Sequence, residues 1–354
     1  MASQNPHDSP FFRVFHRSAD WQSAASPVVN RQMIGPNTPM IHPFPVYWRI
    51  KISLAPASSA STFPCCDGTL SPMESDKLEK LRALLRSYGS CLVAYSGGVD
   101  SVFLAKVAHE CLGEKSLAVI ADSQSLPRRE LQEALILGRE FGFPVKIVRT
   151  SEFKNPLYLA NPENRCYFCK HELFTELEPL ARNLGFAVIA YGENASDAGD
   201  HRPGAKAAGE FAVRAPLKEA GLTKAEIREY SARMGLPTAD KPQMACLSSR
   251  VPYGEAVTPE KLRMIEQGEY VLRDMGFHDV RVRHHELKQG EMARIEVGAA
   301  EMAKFLEGDA AGRVASALKK IGYAHVTLDL QGYRRGSVNE VVRMVASGVV
   351  SRGF

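Results

Sequence analysis

The run Leu92-Val93-Ala94-Tyr95-Ser96-Gly97-Gly98-Val99-Asp100-Ser101 sets an apolar strand directly before a Ser-Gly-Gly-Val-Asp-Ser turn and a helix-like segment over 102–112. Such a turn can hold a pyrophosphate. Gly97 and Gly98 lack a Cβ, so their backbone can turn sharply and let amide N–H groups approach an anion. Ser96 and Ser101 add hydroxyls, and the helix that follows offers unpaired N–H groups and the positive end of its dipole at the same point. No Gly-Lys-Ser/Thr follows, which separates this loop from a kinase-type P-loop.

Cys166 and Cys169 are two thiols three residues apart just before a helix, close enough to chelate one metal and acidified by the helix N-terminus. Cys246, in the loop Met244-Ala245-Cys246-Leu247-Ser248-Ser249-Arg250, is the third candidate. Three thiolates on one cleft fit an iron–sulfur cluster with one iron left open, whereas a structural zinc would want a fourth protein ligand; a redox pair and buried free thiols are the blander readings. Cys91 and Cys111 fall on a strand and a helix and read as core. Asp122 and Ser123 follow the second strand, where they suit adenine or ribose, and the polar loop 192–204 follows the fourth. Arg281, Arg283 and Arg294 recur at period-2 positions on strands and so share a face. With Arg250 and Arg334 they make a candidate clamp for phosphate or carboxylate, the plain alternative being exposed charges. His284 and His285 point to opposite faces of a strand and read as a solvated strand end rather than a metal pair.

The elements that must position these residues follow an α/β alternation. Strands are expected at Cys91–Tyr95, 117–121, 145–148 and 187–191, each apolar and nearly continuous as a buried parallel strand should be. Helices are expected at 104–112, 128–141, 170–184 and 224–234. In such a sheet the loops after Tyr95, Ala121, Val148 and Tyr191 share one cleft at the carboxyl ends of the strands. A second, smaller α+β unit follows: a helix with Thr258 at N-cap and Pro259 at N1 running to about Met275, strands at 280–283 and 293–297, a helix at 311–321 and a strand at 325–330. The chain thus divides into an N-terminal extension 1–72, a parallel-sheet domain 73–254, a small α+β domain 255–338 for substrate or self-association, and a tail 339–354. The extension is Ser- and Pro-rich without helical or strand period and reads as disordered, or as untranslated sequence before a start at Met73.

Composition sets limits. A chain of 354 residues with 45% hydrophobic content holds two ordinary cores, and a net charge of +4 argues neither for nor against an anionic partner. No apolar run approaches a bilayer span, so no membrane is expected. Seven cysteines are too few for a disulfide scaffold and fit the reduced thiols of a cytoplasmic protein.

Ser96 to Ser101 resembles the PP-loop of ATP pyrophosphatases. Together with the polar run to Gly204, Ser248-Ser249-Arg250-Val251-Pro252-Tyr253-Gly254, Val280-Arg281-Val282-Arg283, Ala293-Arg294-Ile295-Glu296 and Thr327-Leu328-Asp329-Leu330, it resembles the LarE family over about 73–338. That resemblance implies an ATP-dependent sulfur transferase that adenylates a carboxylate of a pyridinium dicarboxylate mononucleotide and replaces AMP by sulfur, on the way to a nickel-pincer nucleotide cofactor. It implies a pyrophosphate site at Ser96, Gly97, Gly98, Asp100 and Ser101, and a phosphate contact at Arg281, Arg283 and Arg334. Mg²⁺ is expected with ATP on electrostatic grounds, with Asp100 as a guess for its ligand. Glu269 corresponds to a family acid near the substrate or metal region, while a neighbouring acidic position is Lys304 here.

One departure bears on the sulfur source. Some members sacrifice a cysteine five residues before the Arg; that place is Ala245, and Cys246 comes one residue later, accompanied by Cys166 and Cys169. The pattern resembles the three-cysteine type, in which a [4Fe–4S] cluster held by Cys166, Cys169 and Cys246 carries a transferable sulfide, so a cluster- or sulfide-donating protein is an expected partner and a homo-oligomer the expected state. A PP-loop tRNA thiolase would use the same parts but a basic RNA surface, and the modest charge argues against nucleic acid. A PP-loop amidotransferase and a non-catalytic nucleotide- or cluster-binding module are the remaining alternatives.

Overall fold

The computed structural model describes residues 72–197, 203–243 and 245–334. The expected extension up to position 71, the tail 339–354, Asp200 to Arg202 of the polar loop and Met244 lie outside the described residues. In chain order the elements are α1 (Pro72–Tyr88), β1 (Cys91–Tyr95), α2 (Val99–Leu112), β2 (Ser116–Asp122), α3 (Arg128–Glu140), β3 (Val145–Arg149), α4 (Pro156–Leu159), α5 (Arg165–Leu184) and β4 (Val188–Tyr191). They continue with α6 (Pro203–Glu210), α7 (Pro216–Glu219), α8 (Lys224–Arg233), α9 (Pro259–Asp274), β5 (Val280–Leu287), β6 (Gly290–Val297), α10 (Ala310–Ile321) and β7 (His325–Leu328).

Strands β1 to β4 form a parallel sheet in the order β3-β2-β1-β4. β1 is buried along its whole length because it is covered on both faces. Cys91, Val93 and Tyr95 enter a core with Leu81, Phe103, Leu104 and Ile227, while Leu92 and Ala94 face Phe174, Leu177 and Ala207 on the other side. This two-sided burial is why the strand reads as a continuous apolar run rather than an alternation. The chain steps outward from β1 to β2 and β3, then returns to place β4 on β1's other edge. The strand order thus reverses between β1 and β4, the point at which an open α/β sheet binds ligands.

The second sheet has the order β5-β6-β7, with β5 and β6 antiparallel and β7 parallel to β6. Val280, Val282, Ile295 and Val297 pack on Leu272 of α9 and on Val314 and Leu318 of α10. α9 starts as its sequence implies: the Thr258 side chain accepts from the Lys261 amide at 3.3 Å, and Pro259 takes the first turn.

The strand end at His284 and His285 differs from expectation. β5 runs on to Leu287 and pairs with β6 as a long hairpin, so His284 is fully buried rather than solvated. Its ring lies 2.8 Å from the Glu291 carboxylate and 3.3 Å from the Tyr323 hydroxyl, and burial, aided by Lys261, pushes its pKa down to about 4. A neutral, packed imidazole results.

Candidate active site

The turn between β1 and α2 is built by its own hydroxyls. The Ser96 amide donates to Ser101 Oγ at 3.1 Å, and that hydroxyl donates onward to the Gly98 carbonyl at 3.0 Å. Ser101 is thus a staple of the loop, and Ser96 Oγ lies 3.1 Å from it at the exposed side. The two glycines differ in kind. Gly97 has φ +72°, and an added Cβ would come within 2.9 Å of Ala134 Cβ, so the fold itself requires glycine there. Gly98 has an ordinary φ of −84°, and its Cβ would meet only Ser96 Oγ at 3.6 Å. Among the described residues nothing demands glycine at 98. Gly98 is also the N-cap of α2 and brings no side chain to its first amides, which leaves them for an anion.

β4 closes on this turn. A Cβ on Gly192 would lie 3.1 Å from both Asp100 Cβ and the Ser101 amide nitrogen, so the loop after β4 touches the first turn of α2. Lys224, at the first position of α8, reaches across to Asp100 Oδ2 at 2.6 Å, and Asp100 Oδ1 is buried with no hydrogen-bond partner. Sequence reasoning missed Lys224. Only its place after the capping Thr223 marks it, since its partner lies 124 positions earlier. Asp122 and Ser123 do stand together at the end of β2, each engaged within the protein: Asp122 Oδ1 by Arg128 and Ser123 Oγ by Glu152.

The three cysteines share one neighbourhood. Cys166 and Cys169 lie in the first turns of α5, and Cys246 caps the short 3-10 turn Leu247–Arg250. Burial, then Cys246, Glu152 and more weakly Cys166, push the Cys169 thiol up to about 12. The Cys246 turn is pinned from several sides. Its Ser248 hydroxyl closes a triangle with Tyr158 and Ser125, 2.8 Å from each, and the Leu247 amide donates to the Ser125 carbonyl at 2.8 Å. Arg165 donates to the Ser248 carbonyl at 2.9 Å. The expected cluster ligation is not formed: among the described residues no three His, Cys, Asp or Glu side chains are grouped so as to hold a metal ion. Cys169 packs with Phe168 against the apolar cluster of Tyr158, Leu247, Val251 and Leu262, while Cys166 is exposed. The residues as placed do not fit the cluster.

The arginines depart from a free clamp. Arg250 is fully buried; its Nε and Nη2 donate to the two Glu269 oxygens at 2.8 and 3.1 Å, and its Nη1 to the Ala245 and Cys246 carbonyls at 2.7 and 3.0 Å. Its role is to hold the cysteine turn. Arg283 is likewise buried, forked onto Glu296 at 3.0 and 2.9 Å, with Nη1 on the Ser249 carbonyl at 2.8 Å. Arg281 is buried under the Tyr333 ring, 4.6 Å from its centroid, and Arg334 is exposed. Arg294 lies directly across from Arg283 and pairs with Asp329 at 2.5 Å. Glu269, expected near substrate or metal, is a structural counter-ion, and Lys304 binds Glu301 at 2.8 Å.

Glu269→Gln leaves the Arg250 charge buried without its carboxylate, and about 3–5 kcal/mol of stability is expected to be lost. Burial alone would raise the Glu269 pKa, but Arg250 and Arg281 draw it below the ordinary 4.5. Because the folded value is the depressed one, the pair's contribution is complete above pH 4.5 and disappears as pH falls below it. Thermal melts of the two proteins between pH 7 and pH 3 check this: their difference should shrink toward the acid end, and a constant difference would remove the ion pair as its cause.

No protein-family model matches the chain. A protein of Lactiplantibacillus plantarum, pyridinium-3,5-bisthiocarboxylic acid mononucleotide synthase, is 33% identical over 267 residues, 75% of this chain and 95% of that protein. The chain belongs to the LarE family. An uncharacterized protein of Synechocystis is 43% identical over 270 residues, 76% of this chain and 99% of its own length. For this LarE chain the likeness spans more positions than precede 255, so it runs past the elements of the first sheet. A glutamine-hydrolyzing GMP synthase component of Pyrococcus furiosus is more distant, 26% identical over 214 residues covering 55% of this chain and 67% of its own length. Among the described residues no helix is long and apolar enough to cross a membrane.

Proposed function

We propose that this protein is an ATP-dependent sulfur transferase acting on a pyridinium carboxylate mononucleotide in cofactor biosynthesis, working as a cytoplasmic enzyme. The observation that carries the reading is the Ser96–Ser101 turn, where an uncapped helix start meets a glycine, Gly98, that the fold itself does not need. Its distant likeness to GMP synthase, a second kind of synthase, is consistent with ATP as the energy source.

The proposed chemistry has two displacements. A carboxylate oxygen of the acceptor attacks the α-phosphorus of ATP, the bond to the β-phosphate oxygen breaks, and pyrophosphate leaves with the electron pair. The amides at the start of α2 and the Lys224 ammonium meet the charge that develops on it. A sulfur nucleophile then adds to the acyl carbon, and AMP departs. Mg²⁺ enters as part of the ATP substrate, and Asp100 Oδ1, buried without a partner, is the oxygen disposed to meet it. Sulfur is supplied at the turn bearing Cys246, beside Cys166 and Cys169, thiols that form no metal-ligand set among the described residues.

The test is product analysis with ATP, a pyridinium carboxylate mononucleotide and sulfide. AMP and pyrophosphate are expected in equal amounts, with formation dependent on the acceptor. Release of ADP and phosphate would overturn the assignment.

A further inference from the structure

A cavity of about 430 Å³ opens at the carboxyl ends of β2 and β3, closed on its far side by α9 and by the turn that carries Cys246. We infer that this cavity is the acceptor site: it takes a planar cationic ring bearing anionic substituents, with Arg149 and Arg263 as the contacts for its carboxylate and phosphate groups. The inference rests on the sulfur-transferase reading and adds to it the place and the residues that select the acceptor.

Its lining is mixed in a way that fits this ligand class. Phe153, Leu247 and Leu262 give it apolar walls, and Phe153 offers a ring on which a flat heterocycle can stack. Arg149, at the end of β3, and Arg263, on α9, both face the cavity and are exposed, and neither forms an ion pair among the described residues. Arg281 and Arg283, in contrast, are buried against Tyr333 and Glu296. Thr150 is a further lining residue. Glu266 and Asp122 also line it, Asp122 paired with Arg128 and Glu266 accepting from the Arg128 amide and the Tyr270 hydroxyl.

Two other features favour the acceptor over ATP. The adenosine part of ATP is neutral and would leave both guanidiniums unmatched, while its phosphates belong at the start of α2. Leu247 is a wall of the cavity and the neighbour of Cys246, so a ring seated there lies next to the turn from which sulfur is proposed to come.

Calorimetric titration of the full chain with nicotinic acid mononucleotide, and separately with ATP, tests this for the wild type, Arg149→Ala and Arg263→Ala. Loss of one charge-assisted contact is expected to weaken the mononucleotide about ten-fold in each arginine variant, with ATP affinity within about two-fold of wild type. Both arginines are at the surface, so melting temperatures should stay close to wild type. Binding of the mononucleotide by wild type and both arginine variants alike would overturn the pocket and leave the function standing. A selective loss of ATP affinity would hand the cavity to ATP and overturn the inference. A wild-type chain that binds ATP but not the mononucleotide would overturn both this inference and the reading on which it rests.

Discussion

Gly98→Val is expected to reduce AMP and pyrophosphate formation by about 10²–10³-fold or more while the protein stays folded. The reason lies in the asymmetry of the two glycines. Position 98 has backbone angles open to any residue and room for a Cβ, so valine costs the fold only the weaker capping of α2, about 1 kcal/mol. The same isopropyl group stands at the helix start whose amides are to receive the pyrophosphate, and it holds the anion away from them. Gly97→Val gives the matched contrast: φ +72° and the 2.9 Å approach to Ala134 make it a stability mutant first. Turnover and thermal melting measured together separate the two effects. A Gly98→Val enzyme with activity within ten-fold of wild type would show that the turn is only a strand–helix connection.

Cys246→Ala is expected to abolish sulfur transfer outright and to leave acceptor-dependent AMP and pyrophosphate release in place. The turn that presents Cys246 is held by main-chain and neighbouring contacts, namely Arg250 on the Cys246 carbonyl, Arg165 on the Ser248 carbonyl and Ser125 on the Leu247 amide, none of which uses the thiol. Removing sulfur therefore removes chemistry without dismantling the turn. Pyrophosphate release and thiocarboxylate product, followed in the same reaction, should uncouple in Cys246→Ala, and loss of both would place the residue in adenylation instead. Mass and iron content of the anaerobically purified wild type then identify the sulfur source. Iron with more than one sulfur delivered per chain denotes a cluster, which would require the thiols to draw together from their present positions. An iron-free chain active once and ending with dehydroalanine at 246 denotes a sacrificed cysteine.

Local pattern was enough to define β1 and the turn after it, the start of α9 at Thr258 and Pro259, and the helix–strand alternation on both sides of position 255. All of these follow from runs of neighbouring residues, whose periodicity and capping act within a few positions. The expected boundaries fall short mainly at helix starts: α2 begins at Val99 and α5 at Arg165, because cap and first-turn residues lack the apolar periodicity that marks the helix interior. Family membership is legible for the same reason, through short motifs with fixed spacing.

Which charges and thiols are available is a matter of long-range packing. Arg250 meets Glu269 from another element, Arg283 meets Glu296 across the hairpin, and Lys224 meets Asp100 from 124 positions away, so an arginine that looks like a ligand clamp becomes a buried strut. Arg149 and Arg263 carry no local signal in the chain, yet the packing of α9 over the ends of β2 and β3 brings them to one cavity. The burial of His284 escapes its local sequence because a hairpin's length depends on its partner strand, and the packing of Cys169 escapes it because thiol spacing fixes proximity but not direction. Pairing, burial and side-chain direction depend on residues far apart in sequence, and those encounters exist only once the chain has folded.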